Sequence, residues 1–512
     1  MFGNLVSMRL LAPTVVLGAV ALFLFLGAAF VRRRELARWL FPGAALIGLA
    51  AALVTLLETV RLQYLPDSFN CLAGGCTAFL GGIAYDPLSV FFQALVMLAA
   101  AAAAALSVGS PAVPQGRRGE YYGLIMAMTV GMCLLASANH LMMIYLALEA
   151  VSLCSYLLTG FDDRARSSEA GLKYALYGGV ASAVMLFGMS LWYGLFGSLN
   201  LQSLHFAMLG SPALAPGGNA AAVVAFLFIL AGFGFKIAAV PFHQWCPDAY
   251  EGAPTPVAAL LSVAPKLAGF ALLIRFGFNL AFDPRDPETL AYPPAQLEWA
   301  LWAIAALSVL SMTIGNLSAI PQNNLKRLLA YSSIAHAGYL LMGVVGGSHG
   351  GIAAVSLYGS VYLVMNLGAF AVVAAIERAT GSQDLEAYAG LSRRAPLLAV
   401  SMAVFLFSLT GLPPTAGFVG KVFLFASLLK DGGSLPMALA VVGIVNTVIS
   451  LYFYARVLRA MFLLPPETRF AQPIRVDGAG LLAAGLAVLT LAAGIFFGPL
   501  ASLAEWSAGF VR

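Results

Sequence analysis

Long apolar runs, each about as long as one membrane crossing, recur along almost the whole chain and constrain its fold more than any other feature. One of them, 395–420, contains no charged residue. A helix of about 20 residues spans the hydrocarbon layer of a bilayer. Only 10% of the 512 residues are charged, against roughly 25% in a typical soluble domain. The sequence therefore predicts an all-α polytopic membrane protein and excludes a water-soluble globule.

Hydropathy predicts about 14 transmembrane helices, centred near residues 20, 51, 96, 130, 149, 184, 232, 266, 309, 337, 364, 413, 446 and 488. We expect three N-terminal transmembrane helices in 1–110 and a first repeat of five helices in 120–281. A second, inverted repeat is expected in 297–463, and a C-terminal transmembrane helix in 478–500.

The basic residues indicate the topology. Seventeen of the 27 fall in alternate loops, such as Arg393 and Arg394, whereas the opposite loops and the termini hold six, among them Arg275. Short cytoplasmic loops carry the excess of basic residues in membrane proteins. We therefore expect a multi-pass protein of the cell inner membrane with both termini on the periplasmic side.

The four remaining basic residues are all lysines in apolar helices: Lys173, Lys236, Lys266 and Lys421. Glu149 is the one acid predicted at mid-membrane depth. A charged side chain at the bilayer centre costs at least roughly 2.5–3.5 kcal/mol. Lysine, unlike arginine, can release its proton when it is desolvated. The five residues therefore predict a path for protons through the membrane.

Ordinary structural roles stay open for some of these residues. Lys173 lies one turn after Glu169 and also fits an ordinary surface pair. Glu149 also fits a neutral acid that is hydrogen-bonded to neighbouring backbone. His336 fits either a polar position of the path or a satisfied core histidine.

Prolines predict that two helices break beside their lysines. Lys236 is followed by Pro241, and Lys421 is preceded by Pro413 and Pro414. Proline removes a backbone donor and clashes with the preceding turn, and a broken helix is tolerated at membrane depth only inside protein or beside a wet cavity. The breaks lie five helices apart, with opposite order of lysine and proline, which favours two inverted five-helix repeats.

Metal, cofactor and nucleic-acid binding are not indicated. The five cysteines are scattered, without a CxxC motif or a histidine at zinc spacing. The basic residues lie in short loops rather than on a soluble face. Cys71 and Cys76 flank a glycine-rich turn on the predicted oxidising side, where a disulfide bond is one alternative.

Several motifs, in a fixed order, resemble those of one protein family. They are the segments 148–156 with Glu149, 233–245 with Lys236, 254–256, 324–338 with His336, and 411–414. Over about 85–460, the chain is similar to the antiporter-like membrane subunits of respiratory complex I. The resemblance implies that Glu149 and Lys236 are a coupled ion pair, that Lys266 is the central relay, and that Lys421 belongs to the second half-channel. Lys173 matches a less secure family lysine, and His336 matches a polar position between Lys266 and Lys421.

The resemblance also implies a function and partners. The chain would be a non-redox, proton-translocating subunit of an NADH:quinone oxidoreductase, driven by redox chemistry elsewhere. NADH, FMN, iron–sulfur clusters and quinone would bind to other membrane and peripheral subunits, which are the expected partners together with the lipid bilayer. Two alternatives stay open: a subunit of a multisubunit cation/proton antiporter, which shares the motifs, and a structural spacer between neighbouring subunits.

Overall fold

A computed structural model describes residues 10–31, 34–63, 76–79, 81–209, 220–281, 298–346, 348–431 and 433–509. Within these ranges the chain is almost entirely helical. The exception is an antiparallel hairpin of β1 (Cys76–Ala78) and β2 (Ile83–Tyr85). Cys71, the predicted partner of Cys76, lies outside the described residues, so the disulfide bond stays a prediction.

The helices follow in chain order: α1 (Ala12–Phe30), α2 (Arg34–Gln63), α3 (Pro87–Ser107), α4 (Arg118–Ser137), α5 (Leu141–Thr159), α6 (Ala165–Phe196), α7 (Leu201–Leu209), α8 (Ala220–Ile237), α9 (Trp245–Gly252), α10 (Thr255–Ala281), α11 (Glu298–Ala319), α12 (Leu325–Val345), α13 (His349–Thr380), α14 (Leu391–Arg394), α15 (Pro396–Thr410), α16 (Ala416–Asp431), α17 (Ser434–Leu463), α18 (Gly478–Ile495) and α19 (Gly498–Ala508).

Thirteen helices of the described ranges are long and apolar enough to cross a membrane. They are α1 to α6, α8, α10 to α13, α17 and α18. The predicted crossing centred near residue 413 consists of two shorter helices, α15 and α16. The all-α polytopic class is therefore confirmed. The division into two inverted repeats, with its boundaries, stays a prediction.

Both helix breaks lie where the prolines predict them. α8 ends at Ile237, directly after Lys236, and the chain turns through 238–244 before α9 begins. α15 ends at Thr410, and Gly411 follows with a φ of 89°, a conformation that favours glycine. Each broken helix therefore ends beside its lysine.

Side chains from neighbouring segments bond the backbone at the first break. The hydroxyl of Ser311 accepts from the Val240 N–H at 2.9 Å, and the Trp245 indole donates at 3.0 Å to the Phe235 carbonyl, which also accepts from the Ala238 N–H. An unpaired backbone group costs several kcal/mol in the hydrocarbon region. These contacts explain how a broken helix is tolerated there.

The centre of the molecule consists of α10, α12 and α13. Every residue in the most apolar stretch of α10 is buried, against 28% of the corresponding stretch of α1. α10 packs against α3 on one side and α13 on another. Because lipid does not reach these helices, their polar side chains face protein.

A buried ion pair attaches α10 to the N-terminal helices. Arg275 donates to both carboxylate oxygens of Asp86, at 2.6 and 2.9 Å, and its side chain is 3% exposed. The assignment of Arg275 to a loop is therefore wrong, because the residue lies within α10. Burial alone would raise the pKa of Asp86, but the Arg275 guanidinium and hydrogen bonds from Ser89 hold that pKa below its usual value.

We expect Arg275→Met to destabilise the protein by about 3–5 kcal/mol, because the Asp86 carboxylate stays buried without its counter-charge. Since the folded-state pKa of Asp86 is depressed, the stabilisation is complete above the unfolded pKa of about 3.9 and is lost as the pH falls through the lower folded value. Thermal unfolding of the detergent-solubilised protein at neutral pH, and again in acid, measures both effects.

The matched control is Arg61→Ala, which removes an exposed pair with Glu58. We expect it to change stability by less than about 1 kcal/mol. An equally small change for Arg275→Met would contradict the importance of the buried pair.

Candidate functional site

Lys236 lies in the last turn of α8 and is buried. Its Nζ donates to the hydroxyl of Ser152 at 3.1 Å. Ser152 lies one turn after Glu149 on α5, and Glu149 Oε1 is buried without a hydrogen-bond partner in the described part of the chain. These two described residues form no salt bridge within 4 Å. The predicted coupled pair is therefore not a direct ion pair, because Lys236 bonds a neighbouring hydroxyl instead.

Lys266 lies in α10, directly after Pro265. Its Nζ donates to the carbonyl oxygen of Ser333 at 3.0 Å and to the hydroxyl of Ser333 at 2.6 Å. Tyr362 of α13 donates to the same hydroxyl at 2.8 Å. The three central helices therefore meet at the Ser333 hydroxyl.

His336 is buried in α12 and has a hydroxyl at each ring nitrogen. Nδ1 lies 2.6 Å from the hydroxyl of Tyr358 on α13, and Nε2 lies 3.4 Å from the hydroxyl of Tyr454 on α17. The Tyr454 hydroxyl also hydrogen-bonds with the Ser332 hydroxyl. Hydroxyl groups both donate and accept, so the imidazole has proton-exchange partners on both sides.

Lys421 lies just after the second helix break, in α16. Its Nζ donates to the carbonyl of Thr410, the last residue of α15, at 2.8 Å, and to the Thr447 hydroxyl at 3.4 Å. Thr447 also hydrogen-bonds with the hydroxyl of Tyr339, whose ring centre lies 5.8 Å from that of His336. Hydroxyl and ring contacts therefore link the surroundings of Lys421 and His336.

The first two lysines approach each other where α8 contacts α10. A Cβ atom at Gly269, one turn after Lys266, would lie 3.7 Å from Cγ of Lys236. Together with the contacts above, this places Lys236, Lys266, His336 and Lys421 in one buried series that runs from α8 to α16. We call these four residues the buried series.

Lys173 does not belong to the buried series. It lies near the start of α6, its side chain is 45% exposed, and its Nζ contacts Glu169 at 2.7 Å and Asp248 at 3.2 Å. The prediction that Lys173 belongs to a path inside the membrane is therefore corrected. Lys173 forms the surface ion pair that its spacing from Glu169 also allowed.

A further buried lysine was missed. Lys326 is one of the seventeen basic residues predicted to lie in alternate loops, but it is the second residue of α12 and is 1% exposed. Its Nζ donates to the carbonyl of Ala253, the C-cap of α9, at 2.6 Å. Its neighbour Arg327 is only partly buried and pairs with Asp248 and Glu251. Nothing in the sequence indicates that Lys326 is buried while the adjacent Arg327 is only partly buried.

The hydroxyl partners were predicted only in part. The motif 324–338, which the sequence analysis singled out for His336, contains three consecutive hydroxyl residues. Ser332 and Ser333 lie in the site, whereas Tyr331 packs against Arg327. Ser152 was missed. Its spacing of three residues from Glu149, on one face of a helix, is the signal that could have found it.

The groups of the site are of kinds that can bind or pass a proton. They are amines, an imidazole, a carboxyl group and hydroxyls, each of which binds or passes a proton. Within the described residues, no group of three or more His, Cys, Asp or Glu side chains is placed to bind a metal ion. Buried ionisable residues of a transmembrane bundle typically mark a proton or ion pathway.

The polytopic fold, the two broken helices and the buried series together define the antiporter-like class of membrane proteins. A family model described as NADH:quinone oxidoreductase/Mrp antiporter, TM, matches residues 138–450. The chain belongs to this family.

Curated relatives match over the full length. The chain is 43% identical to NADH-quinone oxidoreductase subunit N of Anaeromyxobacter sp., an alignment that covers 99% of this chain and 98% of the relative. It is also 43% identical to NADH-quinone oxidoreductase subunit N 2 of Sorangium cellulosum, with 99% of both chains covered.

Solved structures share the fold. A chain of respiratory complex I from Thermus thermophilus with bound aureothin is 35% identical, with a TM-score of 0.75 and coverage of 96% of this chain and 99% of that chain. A chain of the Mrp complex from Dietzia sp. reaches a TM-score of 0.81 at 21% identity, with coverage of 99% and 97%. The second likeness concerns the fold alone.

We expect Gly417→Ala to destabilise the second helix break by about 1–3 kcal/mol. A methyl group at Gly417 would overlap the backbone carbonyl of Ser408, which cannot move without shifting α15. Gly485→Ala in α18 is the control, because its added methyl group meets no atom within 4 Å. Thermal unfolding should show no loss for the control. Equal midpoints for both variants would contradict the close packing of α15 on α16.

Proposed function

We propose that this chain is a proton-translocating, antiporter-like membrane subunit of a respiratory NADH:quinone oxidoreductase. Two full-length relatives that are 43% identical bear the name NADH-quinone oxidoreductase subunit N. The observation that carries the proposal is the buried series, in which each lysine is bonded to a hydroxyl or carbonyl oxygen rather than to a fixed counter-ion.

Proton transfer begins at Glu149 and Lys236. An ionised Glu149 favours the protonated form of Lys236, and the Ser152 hydroxyl holds the ammonium group one turn away from the carboxylate. When the carboxylate is neutralised or moves away, the ammonium loses that support and releases its proton toward Lys266. A change of charge at one site thereby changes proton affinity at the next.

The rest of the buried series continues the transfer. Lys266, bonded to the Ser333 hydroxyl, takes up the proton at Nζ. The hydroxyls of Ser332 and Tyr454, from the next position of α12 and from α17, lead to His336. The imidazole accepts a proton at one nitrogen and releases another from the opposite nitrogen. Lys421 ends the series, held by the carbonyl at the second helix break.

This chain acts as a non-redox translocase subunit. Its groups bind and pass protons, while NADH, FMN, iron–sulfur clusters and quinone belong to other subunits of the complex, which are its partners. Redox chemistry there biases the proton affinities here, and such a coupling is a free energy shared between sites. The protein lies in the inner membrane with its basic loops on the cytoplasmic face and both termini on the periplasmic face.

A cation/proton antiporter of the multisubunit kind is the second candidate. The matching family model covers Mrp antiporters as well as NADH:quinone oxidoreductases, which favours this candidate. The full-length relatives that are 43% identical, however, are named for NADH-quinone oxidoreductase. Sodium-linked transport without NADH oxidation would support the antiporter.

We expect Lys236→Ala to lower NADH-driven proton translocation by on the order of tenfold or more, because it removes a proton carrier that no neighbour replaces. Membrane vesicles with the assembled complex and a pH-sensitive dye measure the rate. Lys430→Ala, at an exposed position at the end of α16, is the control and should pump normally. Unchanged pumping in both Lys236→Ala and Lys421→Ala would favour a structural spacer.

We expect Tyr454→Phe to slow translocation by about tenfold, since it removes only the hydroxyl that contacts His336 and Ser332. Tyr388→Phe is a matched control, because the Tyr388 hydroxyl is buried without a partner in the described part of the chain. The same vesicle assay compares the two variants. Equal rates would remove Tyr454 from the path.

A further inference from the structure

Trp245 is the first residue of α9, and its indole bonds the last turn of α8. The indole N–H donates to the Phe235 carbonyl at 3.0 Å. The peptide group that contains this carbonyl also contains the N and Cα atoms of Lys236, and the six atoms of a peptide group lie close to one plane. The indole therefore holds the piece of backbone from which the Lys236 side chain starts.

The face of the same indole lies against Tyr174 of α6. The two rings are stacked, with their centres 4.1 Å apart and their planes 5° apart. Tyr174 is 1% exposed and Trp245 is 2% exposed. Buried aromatic pairs of this kind contribute more than the apolar area that they bury. The Trp245 side chain is thereby held by its face and by its N–H at the same time.

The hydroxyl of Tyr174 leads back to the acceptor of Lys236. It lies 3.3 Å from the hydroxyl of Ser155 on α5, which donates to the carbonyl of Ser152 at 2.7 Å. The Ser152 hydroxyl donates to the Leu148 carbonyl at 2.8 Å, so its oxygen keeps a lone pair for the Lys236 ammonium group. The aromatic pair is therefore connected to both partners of the Lys236–Ser152 hydrogen bond.

These contacts form a closed circuit. It starts and ends at the last turn of α8, passes through α5, α6 and α9, and consists of Lys236, Ser152, Ser155, Tyr174, Trp245 and Phe235. We call these six residues the contact circuit. In a closed circuit, two neighbours separate only if another contact lengthens or breaks. The distance between Lys236 Nζ and Ser152 Oγ therefore depends on the aromatic pair on the opposite side.

The backbone beside the contact circuit has a conformation that needs support. Ala238, two residues after Lys236, has a φ of 57°, in the left-handed region that residues with a Cβ atom rarely adopt. Such a conformation persists only where the surrounding structure holds it. The Ala238 N–H and the Trp245 indole donate to the same Phe235 carbonyl, at 3.1 and 3.0 Å. Trp245 therefore supports the break at the residue where the chain leaves the helix.

The far end of α9 is held by α12. Lys326 donates to the C-cap carbonyl of α9 at 2.6 Å. Arg327 pairs with Asp248 and Glu251, which both lie on α9. Because α9 has only eight residues, and a helix rises about 1.5 Å per residue, its two ends move together. The anchored helix therefore holds Trp245 against Tyr174.

We propose that Trp245 and Tyr174 are positioning residues for proton transfer at Lys236, and that their stack sets the hydrogen bond between Lys236 and Ser152. The inference rests on the proposed function and deepens it, because it identifies what holds the first lysine of the buried series in place. Neither aromatic side chain carries the proton. Their effect is geometric, and a misplacement of about 1 Å can slow a catalytic step by about a hundredfold.

The first test removes the indole N–H. We expect Trp245→Phe to lower NADH-driven proton translocation, measured in vesicles per assembled complex, by about fivefold to tenfold. Trp192→Phe is the matched control, because Trp192 is similarly buried but its N–H has no hydrogen-bond partner in the described part of the chain. The control should pump normally. Equal rates in Trp245→Phe and the unaltered complex would overturn the proposal.

The second test distinguishes positioning from a general loss of packing. If Trp245 acts through the Lys236–Ser152 hydrogen bond, its loss matters little once the Ser152 hydroxyl is gone. We expect Ser152→Ala to slow translocation by itself, and Trp245→Phe to slow it by less than about twofold further in the Ser152→Ala background. The two single variants should also shift the pH dependence of translocation in the same direction. Losses that multiply fully in the double variant would overturn the proposal.

A third variant tests the contact circuit without removing an aromatic ring, so it is informative even if Trp245→Phe does not assemble. Tyr174→Phe keeps the stack and removes only the hydroxyl beside Ser155. We expect translocation to fall by about fivefold, with less than about a twofold further loss in the Ser152→Ala background. A normal rate in Tyr174→Phe would contradict the closed circuit and overturn the proposal.

These outcomes separate the positioning role from the proposed function. If Lys236→Ala leaves pumping intact, the proposed function fails. If Lys236→Ala abolishes pumping while Trp245→Phe and Tyr174→Phe pump normally, only the positioning role fails.

Discussion

Neutral oxygen atoms, rather than carboxylates, hold each of the four buried lysines, and the site depends on this constraint. Lys236 bonds a serine hydroxyl, Lys266 a serine hydroxyl and carbonyl, and Lys326 and Lys421 each bond a main-chain carbonyl. Within the described residues, no carboxylate lies within 4 Å of these four amines. Dipolar oxygens offset part of the cost of desolvating an ammonium group. They also remain compatible with the neutral amine, so the proton stays exchangeable.

Broken helices supply some of these oxygens. The last carbonyls of an α-helix have no partner within the helix, and they carry its partial negative charge. Thr410 is the last residue of α15, and Ala253 is the C-cap of α9, so the acceptors of Lys421 and Lys326 are both helix ends. The prolines that interrupt the apolar runs therefore do more than bend the chain. They create acceptors at the depth where the amines lie.

The sequence predicts the fold and the charged residues of the site better than it predicts their partners. The sequence alone shows where a charged residue interrupts a long apolar run, which is why it identified Glu149, Lys236 and Lys421. The sequence does not show whether a side chain near a helix end is buried, because its burial depends on which other segments pack over that end. Lys326 is covered by the end of α9, whereas Lys173, also near a helix start, stays half exposed. The hydroxyl partners come from other helices, so only the tertiary structure identifies them.

The buried cations differ in whether they can release a proton: a lysine can, whereas Arg275 keeps its charge. Arg275 is as buried as the lysines, yet it forms a bidentate pair with Asp86. A guanidinium group does not release its proton in proteins, and its planar shape matches a carboxylate. The pair therefore holds α10 against α3 with a permanent charge. Lys266, on the same helix, has no such partner within 4 Å in the described ranges and can change its charge. One helix thus carries a fixed anchor and, in the proposed function, the central proton carrier.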